Sequence, residues 1–273
     1  MKKIMIPAIA LALMTSTATH AHRMWIKPSV TAVSGQDETV TFDAAIANQM
    51  FVPDHFAMPL SRISATAPDG TEMELESAHK LRYRSVFDLT LAQSGTYRVG
   101  MQSASLRASW KTPDGESHRW PGRGETGDAA SLKAALPDNA TDVEVVDYYS
   151  QANVFVTSGA PSFELLHTKG KGLVLSGGTH PNDVYTGEPA TFTFTMGDDV
   201  AAGATATLVK GGERYRDTAP GDTMTTDADG SLTLTFDDAG MYFLEVEYED
   251  SNAAAPAQQR RGSYVLVFEV LPG

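Results

Sequence analysis

His22 has the most distinctive potential for chemistry, because it becomes the amino terminus if a leading segment is removed after Ala21. An amino-terminal histidine offers one metal ion two nitrogens, the α-amine and the imidazole. With one further histidine it forms a T-shaped three-nitrogen site, the histidine brace, which suits Cu(II) because copper accepts tetragonal nitrogen geometry. The alternative is a frayed terminal residue that binds nothing, since chain ends are often disordered.

His55 is the best companion for such a site. It lies in the segment 51–56, where the adjacent Asp54 and two flanking phenylalanines could orient its ring in a walled pocket. The alternative is a loop histidine that hydrogen-bonds to Asp54. Neither interpretation depends on a dense ligand motif such as His-x-x-x-His, which the chain lacks.

His118 is a third candidate ligand, in a segment over residues 111–140 that is rich in glycine, proline and charge. It could close over a site as a lid ligand or remain a solvated loop residue. His180 precedes a Pro-Asn-Asp sequence, where turn chemistry alone explains the polar residues. The predicted metal ligands are therefore His22, His55 and His118, and the predicted cofactor is a divalent transition-metal ion, copper or nickel.

No catalytic constellation accompanies these histidines. The segment 227–230 has the acidic spacing of a calcium loop but lacks the later acidic ligand, and a β-hairpin explains it. The sequence contains no nucleophile elbow and no glycine-rich phosphate cradle. We therefore assign no catalytic residue and expect a binding protein rather than an enzyme.

The first 21 residues have the pattern of an export signal: two lysines, an apolar run over residues 4–14, and small residues before Ala21. Cleavage is plausible after Ala18 or after Ala21, and we predict the second, which makes the signal residues 1–21 and His22 the mature start. The apolar run is too short to span a bilayer, and no later segment is long and apolar enough to do so. We predict a periplasmic protein without a transmembrane segment in the mature chain. It has no cysteine, so disulfides cannot stabilise it.

The net charge of −13 at pH 7 becomes −15 once the two lysines of the signal are removed. A surface of this sign repels polyanions and excludes nucleic acid as a partner. It suits cations, although solubility alone also explains it.

Short runs of alternating apolar and polar residues indicate half-buried strands. They occupy residues 39–46, 86–91, 95–101, 190–195, 232–236, 241–248 and 264–270. The segments between them contain turn sequences such as Pro-Asp-Gly. No helical pattern competes, and parallel sheets need crossover helices. The sequence therefore predicts an all-β fold of antiparallel sandwiches.

The β pattern restarts after a Gly-Ala-Pro sequence at residues 159–161, which predicts a domain boundary there. The first β-sandwich would span residues 22–157, with a long loop at 111–140. The second would span residues 160–273 as an Ig-like or prealbumin-like sandwich, with Tyr242 packed at a sandwich corner.

The order of several short motifs resembles the bacterial periplasmic proteins of domain of unknown function (DUF) 4198, some of which are NikM-like nickel- or cobalt-uptake proteins. The motifs lie at residues 21–25, 95–98, 155–161, 172–183, 211–216, 226–230, 239–242 and 261–264. The resemblance implies a two-domain β protein linked to the uptake or handling of a transition metal.

Together these observations predict a periplasmic metal-binding accessory or carrier for nickel, cobalt or copper. Its partners would be the metal ion and a membrane transporter or outer-membrane receptor. A copper oxygenase of the histidine-brace type is an enzymatic alternative, because the same nitrogens can activate oxygen. A structural, adhesion-like β module without metal is the third possibility.

Overall fold

The computed structural model describes residues 23–35, 37–166, 170–215 and 221–273. In chain order its strands are β1 (Arg23–Pro28), β2 (Ala32–Val33), β3 (Glu38–Ala47), β4 (Phe56–Ala57), β5 (Ser64–Thr66), β6 (Glu72–Met73), β7 (Glu76–Lys80), β8 (Ser85–Leu91), β9 (Gly95–Lys111), β10 (Ser117–Trp120), β11 (Thr141–Ser158), β12 (Leu173–Gly178), β13 (Pro189–Met196), β14 (Asp199–Val200), β15 (Thr205–Lys210), β16 (Asp222–Thr225), β17 (Ser231–Thr235), β18 (Gly240–Asp250) and β19 (Gln259–Val270). One α-helix, α1 (Ala129–Ala135), and 3₁₀ turns at Leu60–Arg62 and Glu213–Tyr215 complete the elements. None of the helices described is long and apolar enough to cross a membrane.

Three sheets contain these strands. The first has the order β1-β3-β8-β7, with β4 beside β3. The second, with ten strands, has the order β16-β15-β18-β19-β11-β9-β5-β6, with β10 beside β9 and β2 beside β11. The third has the order β12-β13-β14, with β17 beside β13. The all-β sandwich fold predicted from the alternating runs is confirmed.

Nearly all strand pairs are antiparallel, and the longest is the pair of β9 and β11, called here the β9–β11 hairpin although β10 and α1 lie in its connection. The pair of β11 and β19 is parallel, from Val146 opposite Gln259 to Val154 opposite Val267. This pair joins the first half of the chain to the second within one sheet.

Strand β19 buries both of its faces. Val265 and Val267 belong to a first hydrophobic core, which the first sheet covers. Leu266 and Phe268 belong to a second core, which the third sheet covers. Because successive side chains point to opposite faces of a strand, the ten-stranded sheet is shared by two sandwiches. Burial on both faces explains the continuous apolar run at 264–268, where a half-buried strand would alternate.

A smaller third cluster lies at the far end of the β9–β11 hairpin. Trp110, Leu132 and Val145 are buried in it. The excursion over 111–140 thus contains β10 and α1, neither of which the sequence patterns predicted. Helix α1 begins at a capping box in which the Asp128 side chain accepts a hydrogen bond from the Ser131 N–H, an arrangement that stabilises a helix start.

The domain boundary near Gly159 stays a prediction. The chain leaves β11 there, and two hydrophobic cores lie on the two sides of the shared sheet. Val209 and Phe243 of the second half nevertheless pack in the first core, and Phe155 of the first half packs in the second core.

Candidate functional site

The start of β1 lies at the same level of the first sheet as parts of β3 and β4. Met24 is opposite Ile46 on β3, and on the other side of β3 Ile46 is opposite Phe56 on β4. These three residues occupy one level of the sheet. Since neighbouring strands are about 4.8 Å apart, the backbones at Met24 and Phe56 are separated by about 10 Å.

The loop 48–55 connects β3 to β4 beside this chain start. The Asn48 N–H donates a hydrogen bond of 2.8 Å to Asp54 Oδ1, which closes the loop. Phe51 has a φ of +58°, in the left-handed region that disfavours a bulky side chain. Its ring meets Trp25 edge-on with centroids 5.6 Å apart, and a Cβ added to Gly211 would lie 2.9 Å from Phe51 Cδ2. Close packing therefore holds the strained residue in place.

Glu213 ties the chain start to the second half of the protein. Its Oε1 lies 3.7 Å from Arg23 Nη1. Only 16% of the Arg23 side chain and 19% of the Glu213 side chain is exposed. Its Oε2 accepts a hydrogen bond of 2.6 Å from the Met50 N–H. One carboxylate thus fixes both the first residue of β1 and the loop next to it.

Arg23 interacts with two carboxyl groups at the chain start. It pairs with Glu213, and its charge acts to lower the pKa of the Glu245 carboxyl. Burial raises that pKa most, and the charge of Glu247 raises it further, so Glu245 takes up a proton more readily than an ordinary glutamate does.

His55 lies one residue before β4 at this level. It is half-buried, and its ring centroid is 4.1 Å from that of Phe56 at an interplanar angle of 61°. The flanking aromatic predicted to wall the ring is therefore in contact with it. Asp54 accepts hydrogen bonds from Asn48, so its carboxylate stabilises the loop.

His22 lies outside the described residues, and its predicted ligand role stays a prediction. Arg23, its covalent neighbour, is the first residue of β1. Consecutive Cα atoms are 3.8 Å apart, so the position of Arg23 limits where the preceding residue can lie.

His118 lies elsewhere, on β10, directly opposite Trp110 of β9. The two rings stack with centroids 5.9 Å apart, and His118 Nε2 is 4.0 Å from Glu116 Oε2. His118 therefore contacts the third hydrophobic cluster, whereas β1 and the loop 48–55 pack on the first. The structure does not bring it to His55.

His180 occupies a buried polar network that the sequence patterns did not reveal. Its Nδ1 accepts a hydrogen bond of 3.0 Å from the Asn182 N–H, so Nε2 carries the proton in the neutral ring. That nitrogen is 3.0 Å from Thr96 Oγ1 and 3.1 Å from the Ser162 carbonyl oxygen. The Thr157 hydroxyl donates to Asn182 Oδ1 at 2.9 Å and lies 2.9 Å from the Thr96 hydroxyl. The hydrogen bonds form a closed ring between the two halves of the chain.

Both nitrogens of His180 are engaged in this ring, so neither is available to a metal ion. Burial lowers the pKa of His180, while the Ser162 carbonyl and the charge of Asp183 oppose that shift. The turn expected after His180 is present, because the Asp183 N–H donates a hydrogen bond of 2.8 Å to the His180 carbonyl oxygen. His180 is a structural histidine.

Within the described ranges, no group of three or more His, Asp or Glu side chains has the arrangement of a metal site.

Solved structures of low similarity cover most of the chain. The D0-D1 domain of intimin is 13% identical, covers 89% of this chain and 96% of its own, and has a TM-score of 0.22. The human OSCAR ligand-binding domain is 16% identical, covers 91% and 100%, and has a TM-score of 0.19. No curated protein matches the chain. The model of a domain of unknown function (DUF4198) matches residues 19–250.

Proposed function

Because the chain belongs to the DUF4198 family, whose description assigns no function, we propose one from the residues of the chain itself. The processed protein binds one Cu(II) or Ni(II) ion through the α-amine and imidazole of His22 and the imidazole of His55. It serves as a carrier or accessory in the uptake or handling of a transition metal, after export to the periplasm.

The shared level of β1, β3 and β4 is the observation that carries this proposal. It brings the residue before β4, His55, to within two strand spacings of the residue that follows His22. The backbones at Arg23 and His55 are separated by about 10 Å, a gap that an imidazole from each side can span with metal–nitrogen bonds of about 2 Å.

Electrostatics supports a cation at the same place. Removal of the signal leaves a mature chain more acidic than −13, and Glu213 lies 3.7 Å from Arg23 at the chain start. The amine and imidazoles supply neutral nitrogen ligands, and the net negative charge of the chain favours the approach of a cation. Borderline metals such as copper and nickel prefer this nitrogen-rich set, whereas calcium and magnesium prefer oxygen.

The partners belong to the same proposal. A carrier of this kind passes its ion to a membrane transporter or an outer-membrane receptor, in keeping with the resemblance to NikM-like proteins. His118 packs on another cluster and is not needed for the three-nitrogen set.

Calorimetric titration with copper and nickel salts tests the proposal, on protein that is secreted and naturally processed. We expect one ion per chain, and affinity that falls with acidity as an ordinary amine near pKa 7.7–8.0 and imidazole near 6.5 take up protons. A serine inserted ahead of His22 turns the amine into an amide. This insertion should weaken binding about as much as His22→Ala does. The loss should exceed the roughly 10- to 100-fold that results from removing a residue that only supports a metal ligand.

His55→Ala should also weaken binding, whereas His118→Ala should not. His79→Ala is the matched control, because His79 is an exposed histidine on β7 of the same sheet. Equal affinity in the extended and authentic proteins would rule out the terminal amine as a ligand. An intact mass showing a mature start at Thr19 would refute the proposed site, and oxygen-dependent turnover by the copper-loaded protein would favour an oxygenase.

A further inference from the structure

An open groove lies where the turn 121–125 folds back beside the β9–β11 hairpin. It encloses about 540 Å³, within the range of sites for small organic ligands. Its wall carries four arginines and two large aromatic residues: Arg107, Arg119, Arg123, Arg261, Trp120 and Tyr148.

The groove is positive on a strongly acidic protein. Its only lining residues with ionisable acid side chains are Glu125 and Glu144, which leaves a net charge of +2 in a chain of −13. Glu125 Oε2 accepts a hydrogen bond of 3.1 Å from the Gly122 N–H, so that carboxylate is already engaged. Arg261 is paired with Glu249 at 2.7 Å.

The other three arginines form no ion pair with any residue in the described ranges. Arginine has a planar fork of N–H donors that matches a carboxylate or phosphate with two parallel hydrogen bonds. The guanidinium groups of Arg107, Arg119 and Arg123 can therefore offer such forks to a ligand without first breaking a salt bridge.

Packing fixes two of the walls in advance. The Arg107 guanidinium carbon lies 3.5 Å from the centroid of the Tyr148 ring, a cation–π contact that holds the guanidinium plane on the ring. A Cβ on Gly127 would collide with the Trp120 ring, so the indole is seated closely against the backbone there. Groups held in place before binding lose little conformational entropy when a ligand arrives.

We propose that this groove binds a small organic molecule that carries at least two oxyanion groups, either carboxylates or phosphates. Arg119 and Arg123 bind the oxyanions together with Arg107, and the face of Trp120 packs on the carbon skeleton. The volume exceeds the needs of a single inorganic ion, and the aromatic wall offers apolar surface that such an ion cannot use. Long polyanions are disfavoured by the charge of the rest of the chain.

Titration calorimetry of the full mature protein tests this with four probes: citrate, fructose 1,6-bisphosphate, inorganic phosphate and the uncharged trimethyl ester of citrate. We expect saturable binding of citrate or the bisphosphate at one site, and which of the two binds more tightly identifies the oxyanion. Inorganic phosphate should bind at least about tenfold more weakly and the ester not at all. Affinity should fall as salt is added, since screening shortens the range of the arginine charges.

Arg119→Gln and Arg123→Gln should each weaken binding by about tenfold, the cost of losing one charge-assisted pair. Arg82→Gln is the matched control: Arg82 also lies over a tyrosine, Tyr83, at 5.1 Å, but outside the groove. Thermal melts check that each variant is folded.

Absence of saturable binding by both organic probes would overturn the proposal. Equal affinity for inorganic phosphate would overturn the role of the aromatic wall, and equal loss on Arg82→Gln would overturn the location. Binding of a heparin fragment without binding of citrate or the bisphosphate would also overturn it, in favour of a macromolecular polyanion.

Discussion

Acidification should destabilise the protein through His180. Neutral His180 accepts a hydrogen bond at Nδ1 and donates from Nε2, whereas the protonated ring can only donate, so protonation removes the bond from the Asn182 N–H. Burial lowers the pKa of His180 in the folded protein. The unfolded chain therefore binds the proton at a higher pH than the folded chain does, and stability rises with pH through that window. The contribution is fully present above the unfolded value of about 6.5 and is lost as the pH falls from there toward the folded pKa.

The size of this effect follows from linkage. One proton changes the free energy of unfolding by at most about 1.36 kcal/mol per pH unit. Between pH 7.5 and 5.5, with an unfolded pKa near 6.5, the largest loss through His180 is about 1.4 kcal/mol. For a protein of this size that is a fall in Tm of roughly 3 to 5 °C.

Urea unfolding followed by tryptophan fluorescence at pH 7.5, 6.5 and 5.5 measures the effect, with His180→Gln as the non-titrating comparison. The variant should be less stable than the wild type at pH 7.5, because the closed ring of buried hydrogen bonds is broken. The difference in the free energy of unfolding between the two proteins should narrow by up to about 1.4 kcal/mol at pH 5.5. Glu245 titrates in both proteins, and its raised pKa works in the opposite direction, so the difference between the proteins isolates His180. His79→Gln, at an exposed position, is the control. A gap that stays constant from pH 7.5 to 5.5 would refute the reasoning.

Two further substitutions test the packing. Tyr242→Phe removes a hydrogen bond of 2.8 Å from the Tyr242 hydroxyl to the Asp238 carbonyl, and should cost about 1 kcal/mol in urea unfolding; no change would mean that the corner bond adds nothing. Val267→Ala removes two methyl groups from the first core although Val267 belongs to the last strand, and should cost about 2 kcal/mol. If the first and second halves of this variant then unfolded at different temperatures in thermal melts, the shared core would not couple the two halves.

The alternating runs predicted the strands well, because half-buried strands leave a period of two in the sequence. The run at 86–91 lies in β8, where buried and partly buried residues alternate without exception. The predicted sandwich corner at Tyr242 is also confirmed, since its hydroxyl bonds to the backbone four residues upstream. Tyr97 repeats the same bond to Gln93 at the start of β9. Local chemistry sufficed for these features.

Contacts between distant residues left no such local signal. The parallel pair of β11 and β19 joins residues more than a hundred positions apart, and nothing in either strand specifies its partner. The segment 264–270 was predicted as a half-buried strand, whereas the structure buries both of its faces at 264–268, and nothing in its pattern shows that it serves two cores. Helix α1 is only seven residues long, too short to establish a helical period.

At the candidate site, too, the sequence shows local features but not which distant segments meet. The pairing of His55 with the chain start depends on the register of β4 against β3, which two residues define. A two-residue strand is invisible in a sequence pattern, whereas an adjacent carboxylate and aromatic ring are visible. The local evidence therefore made His55 a candidate, and only the sheet shows which part of the chain lies next to it.

The parallel pair of β11 and β19 links the two regions for which we propose ligands, the arginine-lined groove and the chain start. Tyr148 on β11 is directly opposite Arg261 on β19, and both line the arginine groove. At the chain start, Glu213 from the second half fixes Arg23 and the loop 48–55 of the first half. A groove and a chain start that each draw on both halves need the halves in a fixed relation. The parallel strand pair, with β19 buried on both faces, provides that relation without a disulfide or a helix.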